Sequence, residues 1–191
     1  IIKAFGIPIL MKEGYEADDV VGTLAKVAEQ KGFITYMMTS DKDYGQLVSE
    51  NIFVYKPGYQ GGPAEILGIP QVLEKFNIER IDQVVDILGM MGDAVDNIPG
   101  IPGVGEKTAQ KLVKEFGSLE GLLENTHLLK GKLRENVETY KDQAILSKKL
   151  ATILLDAPVP FDEAELSIKE WDKEKLQAIF EELEFRTLSK R

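Results

Sequence analysis

Gly92-Asp93-Ala94-Val95-Asp96-Asn97-Ile98-Pro99-Gly100-Ile101-Pro102-Gly103-Val104-Gly105-Glu106-Lys107-Thr108-Ala109 is the stretch on which the reading of this chain turns. Its second half alternates apolar residues with glycines and then opens a helical pattern at Lys107. Glycines permit a tight turn whose backbone amides, with the first amides of the following helix, face an anion such as phosphate. Lys107 and Thr108 can add contacts, and the small Ala109 keeps the helix close. A plain Pro-Gly turn between two helices would need neither the basic residue nor the small one at those places. The first half carries Asp93 and Asp96, and two acidic strings lie upstream, Glu16-Ala17-Asp18-Asp19 and Asp41-Lys42-Asp43. These seven carboxylates are costly to hold together, because like charges raise one another's pKa, unless a cation neutralises them.

Around this stretch the pattern is helical. Ile81, Val84, Val85 and Leu88 step through a helix to Met91; Ala109, Leu112, Val113 and Phe116 step through another, closed by Gly117. Leu133, Val137, Tyr140 and Ala144 predict a long helix reaching Leu154, and a last one runs from Lys173 to Leu183. Upstream, strand and helix signals alternate. Ile7 to Met11 is a short apolar run, Ala17 to Gln30 has helical spacing and ends at Gly32, and Phe33 to Thr39 reads as a second strand covered on both faces. A helical turn around Tyr44 to Leu47 and a strand over Ile52 to Tyr55 follow. This order predicts a doubly wound parallel α/β layer with right-handed crossovers. Pro57-Gly58 and Gly61-Gly62-Pro63 break it, which places a boundary near residue 67: an α/β part over 1–66 and a helical part over 67–191. Three strands are few for such a sheet, and the expectation is that its N-terminal portion precedes Ile1.

Both upstream acidic strings follow a predicted strand. First-turn acids complement a helix dipole, which accounts for one or two of Glu16, Asp18 and Asp19, and Asp41 suits a loop or cap. Three acids in four residues exceed what a cap needs. Ligands bind open α/β sheets at the carboxyl ends of the strands, and adjacent strands about 4.8 Å apart would bring both strings within reach of shared hard cations.

Composition narrows the chemistry. The 191 residues include no cysteine and one histidine, His127, so a metal site must be built from oxygen ligands. The net charge is −9, and acids outnumber bases on both sides of residue 67, which disfavours binding nucleic acid by bulk attraction. Divalent ions, backbone amides and a few local lysines require no basic average, although such binding remains salt-sensitive. No apolar run reaches the roughly 20 residues of a membrane span. A soluble, intracellular protein is expected.

The strings Tyr15 to Gly22, Thr39 to Asp43, Gly92 to Ala109 and Glu184 to Leu188 closely resemble the flap-endonuclease family, in its bacterial form as the 5'-3' exonuclease domain of DNA polymerase I. The resemblance implies a partial parallel-sheet, PIN-like (Rossmann-like) nuclease core followed by an all-helical, SAM-like subdomain with a helix-hairpin-helix. It implies ligands for two Mg2+ or Mn2+ ions, with Glu16, Asp18 and Asp19 at the first and Asp41, Asp43, Asp93 and Asp96 at the second; Asp18, Asp41, Asp43 and Asp93 are the catalytic candidates. Gly103, Gly105, Lys107 and Thr108 correspond to the grip on duplex DNA, a site that in the family can also hold K+. The family's first acidic strands and its helical arch are expected before Ile1. The implied partners are 5'-flap, nicked or gapped DNA and a covalently linked polymerase domain, with no membrane and no small-molecule substrate, in the cytoplasm at the bacterial nucleoid. Three rivals are a non-catalytic duplex-binding module, a related nuclease acting on RNA, and an acidic calcium-binding domain. The last lacks the twelve-residue loop it would need.

Overall fold

The structure is a computed structural model that describes residues 1–58 and 61–187, so Leu188, the end of the last family-like string, lies outside the described residues. Helix α1 (Ala17–Gln30) starts at Glu16, whose backbone N–H donates to Asp19 Oδ2 at 3.1 Å and so closes the first turn. It buries Val20, Ala25 and Ala28. Strands β1 (Thr35–Met38) and β2 (Ile52–Lys56) pair in parallel from Thr35↔Ile52 to Met38↔Tyr55. The third strand, β3 (Glu65–Leu67), which the sequence reading did not foresee, is antiparallel to β2.

Two expectations are corrected here. Ile7 to Met11 is not a strand: no described strand pairs with it, and its apolar side chains are largely exposed. A strand exists only through its ladder, and Pro8 contributes no donor to one. Nor is β1 covered on both faces. Met37 is buried, while Tyr36 and Met38, on the opposite face, are 55% and 72% exposed, so β1 is packed on one face only. Tyr36 stacks on Phe53 across that open face, ring centres 5.4 Å apart.

After α2 (Ile69–Phe76) the chain is helical, with α3 (Val84–Met91) at its centre. Val84, Ile87 and Met90 are fully buried and join a core that runs unbroken from Ile52 and Val54 of the sheet to Leu112, Leu119 and Val137. Helices α4 (Glu106–Phe116), α5 (Leu119–Glu124), α6 (Gly131–Thr139) and α7 (Lys141–Ala151) surround it; α8 (Glu163–Leu166) and α9 (Lys173–Glu182) follow. The long helix expected from Leu133 is two helices that break at Tyr140 (φ −104°, ψ 22°) and end at Ala151. The break lets α6 meet the turn Thr126–Leu128 while α7 lies along α3.

The α3–α7 crossing is tight. A Cβ on Gly89 would come within 2.7 Å of the Lys148 Cα, so glycine is required there. Beside it, buried Asp86 accepts from the Leu119 amide at 2.9 Å and from Lys148 Nζ at 2.6 Å, and Lys148 also reaches Glu120. This satisfies a carboxylate that would otherwise be unpaired in the core and anchors α5 to α7. No helix among the described residues is long and apolar enough to cross a membrane.

Candidate metal cleft and phosphate hairpin

Three chain segments deliver acids to one cleft of 740 Å³: Glu16, Asp18 and Asp19 from the start of α1, Asp41 and Asp43 from the turn after β1, and Asp96 from the loop after α3. The opposite wall is Lys149 to Leu154, the end of α7 and the segment that leaves it. That wall is fastened by side chains. Gln46 Nε2 donates to Ala151 O and its Oε1 accepts from the Ile153 amide, both at 3.0 Å, and Thr23 Oγ accepts from the Ala157 amide at 3.1 Å. Asp19 completes the lashing: Oδ1 accepts from the Leu154 amide at 2.8 Å while Oδ2 holds the Glu16 amide. Each Asp19 oxygen is therefore already engaged by a backbone donor. No local pattern encodes the Leu154 contact, which lies 135 residues away in sequence.

The turn after β1 orients its acids through itself. Thr39 Oγ accepts from the Asp41 amide and Asp41 Oδ1 from the Asp43 amide, both at 3.0 Å, and Asp41 lines the cleft. Asp43 is buried, and its Oδ1 has no hydrogen-bond partner among the described residues. Burial, reinforced by Asp41, Asp93 and Asp96 against the opposing charge of Lys42, pushes the Asp43 carboxyl up to about 6. Asp18 is also raised, by burial and then by Asp19, Asp41 and Asp96. The charge of Asp18, then burial, Asp19 and Asp96, raises Glu16. Burial, then Asp18, Asp41 and Asp19, push the Tyr44 phenol, on the cleft wall, up to about 12.

This donor set suits a hard divalent cation: it is all oxygen, it is charged against its own repulsion, and it includes a buried carboxylate oxygen without a donor. Among the described residues, however, no three acids are gathered closely enough to hold an ion as they stand. Asp93 stands apart. It does not line the cleft but receives Lys42 Nζ on Oδ2 at 2.5 Å and the Val95 amide on Oδ1 at 2.8 Å. The hydrogen bond from Lys42, against a smaller opposing effect of burial, holds its carboxyl below the usual range.

The hairpin is built by glycines in distinct ways. Gly100 (φ 60°) has no room for a Cβ, which would lie 2.5 Å from the Gly92 nitrogen, and its peptide is gripped by α7: the amide donates to buried Ser147 Oγ at 3.0 Å and the carbonyl accepts from Gln143 at 2.7 Å. Gly103 adopts φ 81°, which other residues rarely adopt. Gly105 differs: its φ is −94°, and a Cβ would meet nothing within 4 Å. The fold thus places no demand for glycine at 105. Gly105 caps α4, whose first turn receives no side-chain cap, so its leading amides are left without a side-chain acceptor. Lys107 and Thr108 line a neighbouring 450 Å³ cavity together with Lys111 and Lys130. Lys130 was not legible as part of this group, being brought in by the start of α6.

An α/β layer that gathers acids at one edge, joined to helices that present a glycine hairpin, is an arrangement shared with known 5'-3' exonucleases. The pattern described as "5'-3' exonuclease, N-terminal resolvase-like domain" matches residues 1–77, and "5'-3' exonuclease, C-terminal SAM fold" matches residues 80–174. DNA polymerase I of Bacillus subtilis (strain 168) is 43% identical over the whole chain, which spans 22% of that protein. The 5'-3' exonuclease of Aquifex aeolicus (strain VF5) is 40% identical over the whole chain, which spans 63% of it. Among solved structures, T5 5'-exonuclease with bound divalent zinc matches 74% of the chain and 51% of its own at a TM-score of 0.65 and 21% identity. The catalytic core of Rad2 in complex with DNA substrate matches 94% and 60% at 0.61 and 15%. The chain belongs to the 5'-3' exonuclease family.

Proposed function

We propose that the chain is the acid cleft and duplex grip of a metal-dependent 5'-3' exonuclease and 5'-flap endonuclease belonging to a DNA polymerase I. The observation that carries this reading is the cleft itself, which three segments line with six carboxylates, among them a buried Asp43 with an oxygen that has no hydrogen-bond partner among the described residues. We assign Glu16 and Asp18, with Asp19 beside them, to one divalent ion, and Asp41, Asp43, Asp93 and Asp96 to a second, Mg2+ or Mn2+. When bound, such ions activate water and stabilise charge on a phosphodiester. The chain's own contribution is placement. Asp41 and Asp43 are held by the turn after β1, Asp18 by the first turn of α1, and Asp19 pins the opposite wall so that the cleft keeps its width.

The hairpin, in this reading, binds the double-stranded part of a 5'-flap, nicked or gapped DNA through phosphate alone, using the amides at Gly103 and Gly105 with Lys107 and Thr108, and can hold K+. The division into 1–66 and 67–191, the polymerase part as covalent partner and a cytoplasmic, nucleoid-associated setting belong to the same proposal. Bound zinc in the T5 enzyme and bound DNA in Rad2 support it by analogy. One observation favours a second reading, a duplex-binding module without catalysis: no three acids are drawn together. Incubating the chain with an end-labelled 5'-flap duplex and millimolar Mg2+ or Mn2+ separates the two. Cleavage at the flap junction is expected; binding with no product would leave the module.

Gly105 and Gly100 offer a sharper contrast. Gly105→Ala is expected to leave the unfolding free energy within about 0.5 kcal/mol while weakening duplex binding about tenfold, since its methyl group would stand where a phosphate approaches. Gly100→Ala should destabilise the fold by roughly 3 kcal/mol through its clash and positive φ. Chemical denaturation and fluorescence anisotropy measure both. Equal DNA affinity for Gly105→Ala and the parent would remove the hairpin from the grip.

A further inference from the structure

Lys42 enters the acid group from within the Asp41–Asp43 turn and reaches across to a different segment. Its ammonium meets Asp93 Oδ2 at 2.5 Å, with the lysine side chain 34% exposed and the aspartate 15%. The loop it reaches is closed on itself, since the Asp93 amide donates to Ile98 O at 2.8 Å and the Ile98 amide to Asp93 O at 2.7 Å. Asp93 Oδ1 is taken by the Val95 amide. Both carboxylate oxygens thus have donors, and this acid alone of the seven is absent from the cleft lining. Asp43, its neighbour across the pair, has an oxygen with no donor.

Two acids of one proposed ligand set are therefore in opposite conditions, one balanced and one not. We propose that Lys42 is a built-in counter-cation for Asp93 that holds this carboxylate off the cleft, so that a divalent ion recruits Asp93 only by displacing the ammonium. The proposal rests on the reading of the cleft as a divalent-cation site and adds a regulator to it. Occupation follows in order: an ion first at the α1 acids, which have no such competitor among their hydrogen-bond partners, then one at the Asp41–Asp43 end at higher concentration.

Lys42 acts through Asp93 as a positioning residue, and its test reads metal binding directly. Mn2+ is titrated into the full chain, with free ion followed by electron paramagnetic resonance, for the parent and for K42Q, K42R and D93N. In K42Q the weaker binding phase is expected to tighten about tenfold, the equivalent of one lost charge-assisted hydrogen bond. K42R, which keeps the competitor, should stay at or below parental affinity. Asp93→Asn should cost little in the parent, yet cancel the whole gain when combined with K42Q. Should K42Q lose its fold by circular dichroism, K42M carries the same comparison with the stem's packing retained. Equal or weaker Mn2+ binding in the folded, uncharged variant overturns the counter-cation role and leaves the metal reading intact. Absence of Mn2+ binding in the parent and in every variant overturns both.

Discussion

Asp43→Asn is expected to make the protein more stable before metal is added and, in the same change, to remove metal-dependent cleavage. The sign follows from the direction of its shift. The Asp43 carboxyl titrates near 6 when folded, against an ordinary 3.8, so between those values the folded state holds more protons than the unfolded one. Stability therefore falls as pH rises across that window, and the full penalty stands above it. A shift of this size would amount to roughly 3 kcal/mol if the group were sealed from solvent; in an open cleft, screened by water, about 1–2 kcal/mol is expected. Glu16 and Asp18 are raised as well and act in the same direction. Asp93 is lowered, so its contribution is lost only as pH falls through its folded value, and the raised Lys42 loses its own only above the ordinary lysine range.

From pH 5 to 7.5 the raised acids decide. Thermal unfolding in the presence of a chelator should show the parent melting lower at pH 7.5 than at pH 5, with the difference clearly smaller in Asp43→Asn. Millimolar Mg2+ should raise the parent's midpoint at pH 7.5 and raise the variant's by less, since the variant keeps the α1 acids and loses a ligand of the second ion. Where the parent cleaves a flap, the variant should do so roughly a thousandfold more slowly. A parent midpoint that does not fall with pH would mean that Asp43 is solvated better than its burial indicates. A variant that retains cleavage would remove Asp43 from the metal set.

How far such a site can be read ahead of its structure depends on the distance over which each feature is encoded. Helices α1, α4 and α9 were legible to within a residue or two, because apolar spacing and end signals such as Gly32 and Gly117 act within a turn or two of chain. The acids that share the cleft were legible as short strings, although only Asp41 and Asp43 follow a strand, and the glycines from Gly100 to Gly105 were legible as a tight turn. What escaped is held by partners far off in sequence. The antiparallel β3 depends on a loop folding back, and Tyr140 breaks its helix because α7 has a better surface on α3 than a straight continuation would find. Asp19 read as a ligand candidate, and the fold adds a wall-fastening task to it through Leu154 and Glu16; Lys42 looked like a spacer between two acids, yet it spans 51 residues to Asp93. Composition counts charges, but only the fold decides which of them are already paired.

That distinction governs the largest binding effect expected of the molecule. With a net charge of −9 and acids facing inward on the cleft, the chain should bind a 5'-flap duplex weakly in the presence of a chelator. Ca2+, which occupies oxygen sites while supporting little hydrolysis, should raise the affinity by ten- to a hundredfold, an estimate corresponding to about 1.4–2.8 kcal/mol. The gain comes from turning a repulsive surface into one that attracts phosphate. The salt dependence should stay shallow, because the grip draws on backbone amides and on only a few lysines, Lys107, Lys111 and Lys130. Three neutralised phosphates predict a slope of about −3 in log affinity against log salt. Anisotropy titrations with chelator and with Ca2+ at several salt concentrations supply both numbers, and two variants separate their origins. Asp43→Asn should lose the part of the Ca2+ increment that the second ion supplies and keep the residual affinity, whereas Gly105→Ala should lose affinity under both conditions. If chelator and Ca2+ give the same affinity, the hairpin alone carries the DNA and the cleft has no part in holding it.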